Sequence, residues 1–229
     1  MTSALHITSG DMAGSRLAAS GVPGEVFVWH DILYDGPRRP GWPDEDTVQA
    51  RTDFLFRETG GGLSRDDIES TVKQQYDRLA AAGDAEEHIV LWFDACLFDQ
   101  SMLAHILACM HERRICDADL LCVDAFPGIE PYNGVGQLEP TQMASVYDRR
   151  LPVCDSQFQF AVEVDAAFAA HDVDAFTQIA AMKDPPLPWM PAAARRWLAE
   201  QPDPATGLGR LESLALTAVR AGCEKPADI

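Results

Sequence analysis

An almost uninterrupted apolar run at residues 88–93 (HIVLWF) constrains the fold more than any other segment. A run of this length without polar alternation is typical of a strand buried on both faces, as in the middle of a parallel sheet. Three further β-prone runs occur in the first 125 residues, at 4–9, 25–29 and 118–124. Helical patterns separate the four runs, which predicts an α/β fold with right-handed crossovers.

The four strands predict a small, parallel, doubly wound sheet. The commonest arrangement of such a sheet has the strand order 2-1-3-4. The spacing of apolar residues predicts a helix over residues 98–111, with Phe98, Met102, Ile106 and Met110 on one stripe.

Beyond residue 126 the β-prone runs stop. The Gly/Pro-rich stretch 127–136 (PGIEPYNGVG) predicts a linker between an α/β domain over residues 1–126 and an all-helical domain over residues 137–229. The last two predicted helices, 191–200 and 208–221, are weakly similar to a helix-turn-helix pair. Their connection exceeds the usual ~3–4 residues and the second helix is mostly apolar, which favours protein contact over DNA reading.

The charge of the chain excludes several kinds of partner. There are 36 acidic residues against 18 basic ones, a formal net charge of -18, which disfavours binding to nucleic acid and to anionic membranes. No apolar stretch approaches the ~18 residues that span a bilayer, and the first residues lack the pattern of a secretion signal. We therefore expect a cytoplasmic protein with six reduced cysteines, whose spacing matches no zinc motif.

Polar residues follow the predicted strands and predict a ligand site. In open parallel sheets ligands bind beyond the carboxyl ends of the strands, where the chain connections diverge. The candidate ligand-binding residues at these ends are Ser9, Gly10, Asp11, Trp29, Asp94 and Gln100.

Several of these polar residues also have a structural interpretation. Asp11 and Asp99 stand at helix starts, where a carboxylate caps backbone N–H groups or interacts with the helix dipole. The sequence Asp35-Gly36-Pro37 is typical of a turn, and His30 is interpreted as either a hydrogen-bonded loop residue or a proton carrier.

Together these residues predict metal-assisted binding. Asp11, Asp94 and Asp99 are candidate ligands for Mg²⁺ or Mn²⁺, with a phosphate completing the coordination shell. His30, Asp31 and Asp99 are the candidate catalytic residues. Because no complete phosphate-loop or nucleophile motif occurs, the expected function is that of a small-ligand, phosphate or nucleotide-binding protein or a metal-dependent enzyme.

Two other classes of function stay open. The first is a non-catalytic interaction or regulatory protein that binds a partner protein through its C-terminal helices. The second, less favoured, is a DNA-binding regulator that uses the same helices. Membranes are not expected partners.

Two blocks of the sequence resemble a known bacterial family. Residues 5–37 (LHITSGDMAGSRLAASGVPGEVFVWHDILYDGP) and 89–108 (IVLWFDACLFDQSMLAHILA) resemble the N-terminal part of domain-of-unknown-function family 1835. Residues 136–153 and 187–222 resemble its helical companion segment. The matching positions are Gly10, Asp11, Trp29, Asp31, Gly36, Pro37, Trp92, Asp99 and Gln100.

The resemblance implies an architecture and a candidate sheet edge, and it implies no reaction, since the family has no established activity. Two positions depart from its pattern. His30 stands where an Arg is usual, and Cys96 stands where an acidic residue is expected. If positions 30 and 96 take part in catalysis or anion binding in the family, this chain has an altered site.

Overall fold

One mixed sheet forms the centre of the molecule in the computed structural model, which describes residues 4–60 and 62–225. The strand order is β2-β1-β3-β4-β5. The strands are β1 (Leu5–Ser9), β2 (Glu25–Trp29), β3 (Ile89–Asp94), β4 (Ala118–Val123) and β5 (Leu151–Pro152). The first four are parallel, which confirms the predicted α/β class and the predicted order 2-1-3-4.

Nine α-helices accompany the sheet within the described residues. They are α1 (Asp11–Ala19), α2 (Glu45–Glu58), α3 (Arg65–Asp84), α4 (Leu97–Arg113), α5 (Pro140–Val146), α6 (Asp155–Ala170), α7 (Val173–Ala181), α8 (Met190–Ala199) and α9 (Arg210–Arg220). Asp44 and Ser64 begin α2 and α3 by accepting the backbone N–H of the residue three positions later. In this part of the chain, no helix is both long and apolar enough to cross a membrane.

The sheet separates two apolar cores. On one face, α1 and α5 pack around Trp92 and Val123. On the other face, Leu91 and Phe93 belong to a larger core that also contains residues of α2, α3, α4, α6 and α8. Every residue of β3 is buried, as the apolar run at 88–93 predicts.

Helix α4 is buried almost all round, so the predicted single apolar stripe was too narrow. From Leu97 to Met110 every residue except Phe98 is buried. The reason is that α6 and α8 pack on the side of α4 that faces away from the sheet. A helix between two layers needs apolar residues on all sides.

A short strand corrects the expectation that residues 137–229 are all helical. β5 pairs with β4 in the antiparallel direction, with Leu151 opposite Leu120 and Pro152 opposite Asp119. Two residues are too few to produce a readable alternation, since the strand signal needs about four or more.

The predicted linker lies against the carboxyl edge of the sheet. Val135 is buried, and Gly134 adopts a φ of 138°, a backbone conformation that favours glycine. A Cβ atom at Gly134 would lie 2.5 Å from Oδ2 of Asp94. The division into units 1–126 and 137–229 concerns how the chain unfolds, and it stays a prediction.

Candidate functional site

The ends of β1 and β3 form the point at which the sheet reverses its winding. β1 continues through Gly10 into α1 on one face, and β3 continues through Ala95 and Cys96 into α4 on the other face. Since the two strands are neighbours, a crevice opens between their carboxyl ends. Ser9 and Asp94, the last residues of these strands, stand at this crevice.

Three acidic or sulfur-bearing side chains meet there, and we call Asp94, Cys96 and Asp99 the carboxylate cluster. Their ligand atoms all lie within 4.8 Å of one another. Asp99 accepts hydrogen bonds from Ser9 Oγ at 2.5 Å and from the Asp94 backbone N–H at 2.7 Å. The Asp94 carboxylate accepts the Cys96 N–H at 2.8 Å. The cluster is therefore a built arrangement on two strand ends and one helix start.

The negative charges of the carboxylate cluster have no positively charged partner among the described residues. Asp94 and Asp99 are 8% and 2% exposed. Among the described residues, no Lys, Arg or His nitrogen lies within 4 Å of either carboxylate. Burial first, and then the Asp94 charge, raise the pKa of Asp99 from 3.8 to about 7. Near neutral pH the pair thus holds a proton that a cation would displace.

Cys96 has a structural role that the sequence did not indicate. It is the N-cap of α4, where its sulfur accepts the Asp99 N–H at 3.4 Å. The expectation that the Asp99 carboxylate caps this helix is therefore wrong, although Asp99 lies in the first turn, where the dipole favours a negative charge. Although the Cys96 residue reaches solvent, partial burial of its sulfur and the Asp94 charge raise the pKa of the thiol. The thiol stays protonated at neutral pH, which makes it a poor nucleophile.

Gln100 holds the end of β3. Its side chain is fully buried, and Nε2 donates to the Asp94 backbone oxygen at 2.7 Å. The Oε1 atom has no hydrogen-bond partner among the described residues. Gln100 therefore lies next to the cluster and positions Asp94, and its ligand-binding role stays a prediction.

Asp11 and His30 form a separate pair. Asp11 is the first residue of α1 rather than its N-cap, which is Gly10 with a φ of 75°. The capping interpretation of Asp11 is thus wrong, because its side chain accepts no cap hydrogen bond. Instead, Asp11 Oδ1 lies 2.8 Å from His30 Nε2, with the Asp11 side chain 88% exposed. Among the described residues the metal-ligand grouping is Asp94, Cys96 and Asp99, without Asp11.

Asp31 is committed to a buried ion pair. Arg51 Nη2 donates to Asp31 Oδ1 at 2.7 Å, and both side chains are almost fully buried. Asp31 Oδ1 also accepts the Ile32 N–H at 2.7 Å. This pair ties the loop after β2 to α2. The turn predicted at residues 35–37 is present there, with Asp35 Oδ1 accepting the Gly36 N–H.

Trp29 is fully buried at the end of β2, and its ring packs edge-on against Tyr76. Its indole N–H has no hydrogen-bond partner among the described residues. The side chain borders a cavity of about 410 Å³ between the carboxyl edge and helices α2 and α3. Trp29 thus lies next to this cavity, beside the carboxylate cluster, and its ligand-binding role stays a prediction.

Two further residues at the site come from the stretch that was predicted to be a linker. Gly134 contacts Asp94, and Tyr132 borders the same opening as Asp94 and Asp124. The Tyr132 hydroxyl is buried, without a partner among the described residues. Gly/Pro-rich composition predicts a loop but not the surface on which the loop lies, so the sequence carried no signal for this contact.

The C-terminal helices leave an apolar surface. None of the α9 residues is buried, and Leu211, Leu214, Leu216 and Val219 are 38–60% exposed. Only Arg210 and Arg220 are basic in α9. The surface of α9 differs from that of a DNA-reading helix, which presents several polar and basic groups.

Comparison with known proteins leaves the family open. No protein-family model and no curated protein matches the sequence. The resemblance to domain-of-unknown-function family 1835 therefore stays a prediction, and the geometry of the site alone supports what is proposed next.

Proposed function

We propose that the chain binds a small anionic ligand, of the phosphate ester class, through a divalent cation held by Asp94 and Asp99. The observation that carries the proposal is the pair of nearly buried carboxylates with no basic partner among the described residues. Buried charges are normally paired or coordinate metals, because an isolated buried carboxylate is costly. A divalent cation would neutralise the pair and leave coordination sites for ligand oxygens and water.

The donor set favours Mg²⁺ or Mn²⁺. Four carboxylate oxygens from Asp94 and Asp99 are hard ligands, which these ions prefer. Cys96 supplies sulfur only after it loses a proton that its surroundings retain. The same argument makes Asp99 the residue best suited to exchange a proton near neutral pH, if the bound ligand is also a substrate.

The test is a thermal-shift titration with MgCl₂, MnCl₂ and ZnCl₂, compared between the wild type and two variants. We expect the cation to raise the Tm of the wild type, since a ligand at 100 times its Kd stabilises by about 2.7 kcal/mol. Asp99→Asn should lose this response, because the amide removes one of the two negative charges. Asp11→Asn is the matched control and should keep it, since Asp11 pairs with His30.

The outcomes distinguish a cation bound at Asp99 from one bound at Asp11. Equal shifts in the wild type and Asp99→Asn would contradict the proposal, and loss of the shift in Asp11→Asn alone would move the cation to the other side of Gly10. A shift with Zn²⁺ but not with Mg²⁺ or Mn²⁺ would show that the Cys96 thiolate is a ligand, and would overturn the choice of metal.

A protein-interaction function is the second candidate, and the exposed apolar side chains of α9 favour it. Four large apolar side chains on one unburied helix are unusual for a surface that faces only water. Sedimentation velocity over a range of concentrations tests it: the wild type should associate and Leu214→Glu should not, whereas a wild type that stays monomeric gives no support to this function.

A further inference from the structure

The cavity beside the carboxylate cluster is bordered mainly by apolar side chains. It lies between the end of β2, the start of α3 and the end of α2, and its volume of about 410 Å³ is within the range of small-molecule sites. The apolar residues that border it are Trp29, Ile32, Leu55, Ile68, Val72 and Phe98. Leu63, at the rim, is 55% exposed.

The polar groups around this cavity are mostly engaged elsewhere. Thr59 and Thr71 donate their hydroxyl protons to backbone oxygens of their own helical turns. Asp31 is held by Arg51. Asp11 and His30, which also border it, are exposed and pair with each other at 2.8 Å. The buried Trp29 N–H lacks a partner among the described residues. An occupant would therefore meet hydrocarbon surface and few hydrogen-bonding groups.

The cavity adjoins the crevice of the carboxylate cluster. Gly10 and Phe98 border both the 410 Å³ cavity and the opening that contains Ser9, Asp94 and Asp99. A Cβ atom at Gly10 would have no neighbour within 4 Å, so there is open space beside this residue, which borders both regions. One molecule of modest size can therefore reach both.

We propose that this cavity receives the apolar part of the ligand, a hydrocarbon or unsubstituted aromatic group, while the anionic part lies at the carboxylate cluster. The placement of the anionic part rests on the proposed function, whereas the apolar subsite stands on its own lining. A nucleobase fits less well, because its ring edge would lose hydrogen bonds to water, and apart from the exposed Asp11–His30 pair this lining offers few groups that replace them.

The test of the subsite uses N-phenyl-1-naphthylamine, a neutral apolar fluorophore, on the full chain. We expect saturable binding with a blue-shifted emission for the wild type and at least a tenfold weaker affinity for Thr71→Trp, which fills the cavity from α3. Gln74→Trp is the matched control, since Gln74 is exposed on the same helix and does not border the cavity. Leu63→Asp is a second variant, and it should weaken binding by placing a charge at the rim without disturbing a buried position.

The two proposals fail separately. Asp99→Asn should bind the neutral probe as the wild type does, and Mg²⁺ should tighten the binding of 1-naphthyl phosphate to the wild type but not to Asp99→Asn. If the neutral probe binds Thr71→Trp and Leu63→Asp with wild-type affinity, it occupies another surface and the subsite is overturned. If Thr71→Trp weakens the probe while Mg²⁺ changes nothing, the subsite stands and the proposed cation function fails.

Discussion

Asp99 couples proton binding to folding. Burial and the Asp94 charge raise the pKa of its carboxyl to about 7 in the folded chain, against an ordinary value of 3.8. Between these two pH values the folded state binds a proton that the unfolded state has released, so the stabilising effect is complete below about pH 4 and is lost as the pH rises through about 7. One unit of pKa difference corresponds to about 1.4 kcal/mol.

We therefore expect the pH dependence of stability to differ between the wild type and Asp99→Asn. Chemical denaturation in a chelating buffer at pH 5 and pH 8 should show a larger loss of unfolding free energy for the wild type, by at least about 1.4 kcal/mol. The amide costs a hydrogen bond at both pH values, so only the difference between them counts.

Asp11→Asn serves as the control and should lose as much stability as the wild type between the two pH values. Parallel losses in the wild type and Asp99→Asn would mean that Asp99 is ionised in the folded chain at pH 5.

The residues of the candidate site show which side-chain positions could be predicted from the sequence. The position of polar residues after the strands predicted one shared carboxyl edge, and the structure brings Ser9, Asp94 and Asp99 to one crevice there. Asp11 and Trp29, predicted at the same edge, border the neighbouring cavity instead. The fate of Asp31 could not be predicted, since its partner Arg51 is 20 positions away on α2. Long-range pairing of side chains leaves no periodic signal in the sequence.

Among the helices, α4 has the most buried residues and α9 has none. Helix α4 is enclosed by the sheet, α6 and α8, whereas α9 has no buried residue. Both helices carry leucines, so identical substitutions compare the two environments directly.

We expect Leu107→Ala on α4 to lower the free energy of unfolding by about 2–5 kcal/mol, because it leaves a cavity in a fully packed layer. Leu214→Ala on α9 should change it by less than about 0.5 kcal/mol, since that side chain is 52% exposed. Urea denaturation of both variants measures the difference. A cost above about 2 kcal/mol for Leu214→Ala would show that α9 is covered in solution.

The element predictions succeeded where periodicity was long enough to read. The four longer strands and the helix after β3 were predicted, because runs of five or more residues carry a pattern. The full burial of α4 was missed, since a stripe seen in sequence does not tell how many layers will pack on a helix. β5 was missed because it has only two residues.

At the scale of the molecule, residues on both sides of 127–136 share one apolar core. Phe160 and Val164 of α6 and Trp197 of α8 belong to the same cluster as Leu103 and Leu107 of α4. β5 adds a strand to the sheet of the first 126 residues. Separating the two parts would expose both surfaces.

We therefore expect one cooperative thermal transition in place of the two folding units that the sequence predicts. In scanning calorimetry at constant pH, the van't Hoff and calorimetric enthalpies of unfolding should agree. Two resolved transitions, or a van't Hoff enthalpy near half the calorimetric one, would instead restore independent units at 1–126 and 137–229.

The two edge strands of the sheet, β5 and β2, differ in the backbone groups that they offer to a further strand. This difference decides at which edge another chain can pair with the sheet. At one edge the sheet ends in β5, which lies beside β4. The second residue of β5, Pro152, has no N–H to donate to a further strand. At the opposite margin β2 has one strand neighbour among the described residues, β1. The Glu25 N–H donates to Ala4 on that side, so the alternating backbone groups of Val26 and Val28 face outward without a partner strand in the described part of the chain. The ion pair between Glu25 and Arg78 places charge at the beginning of β2. Fibril growth or strand exchange between copies would therefore start at β2, and a proline or lysine introduced at Val26 would block it.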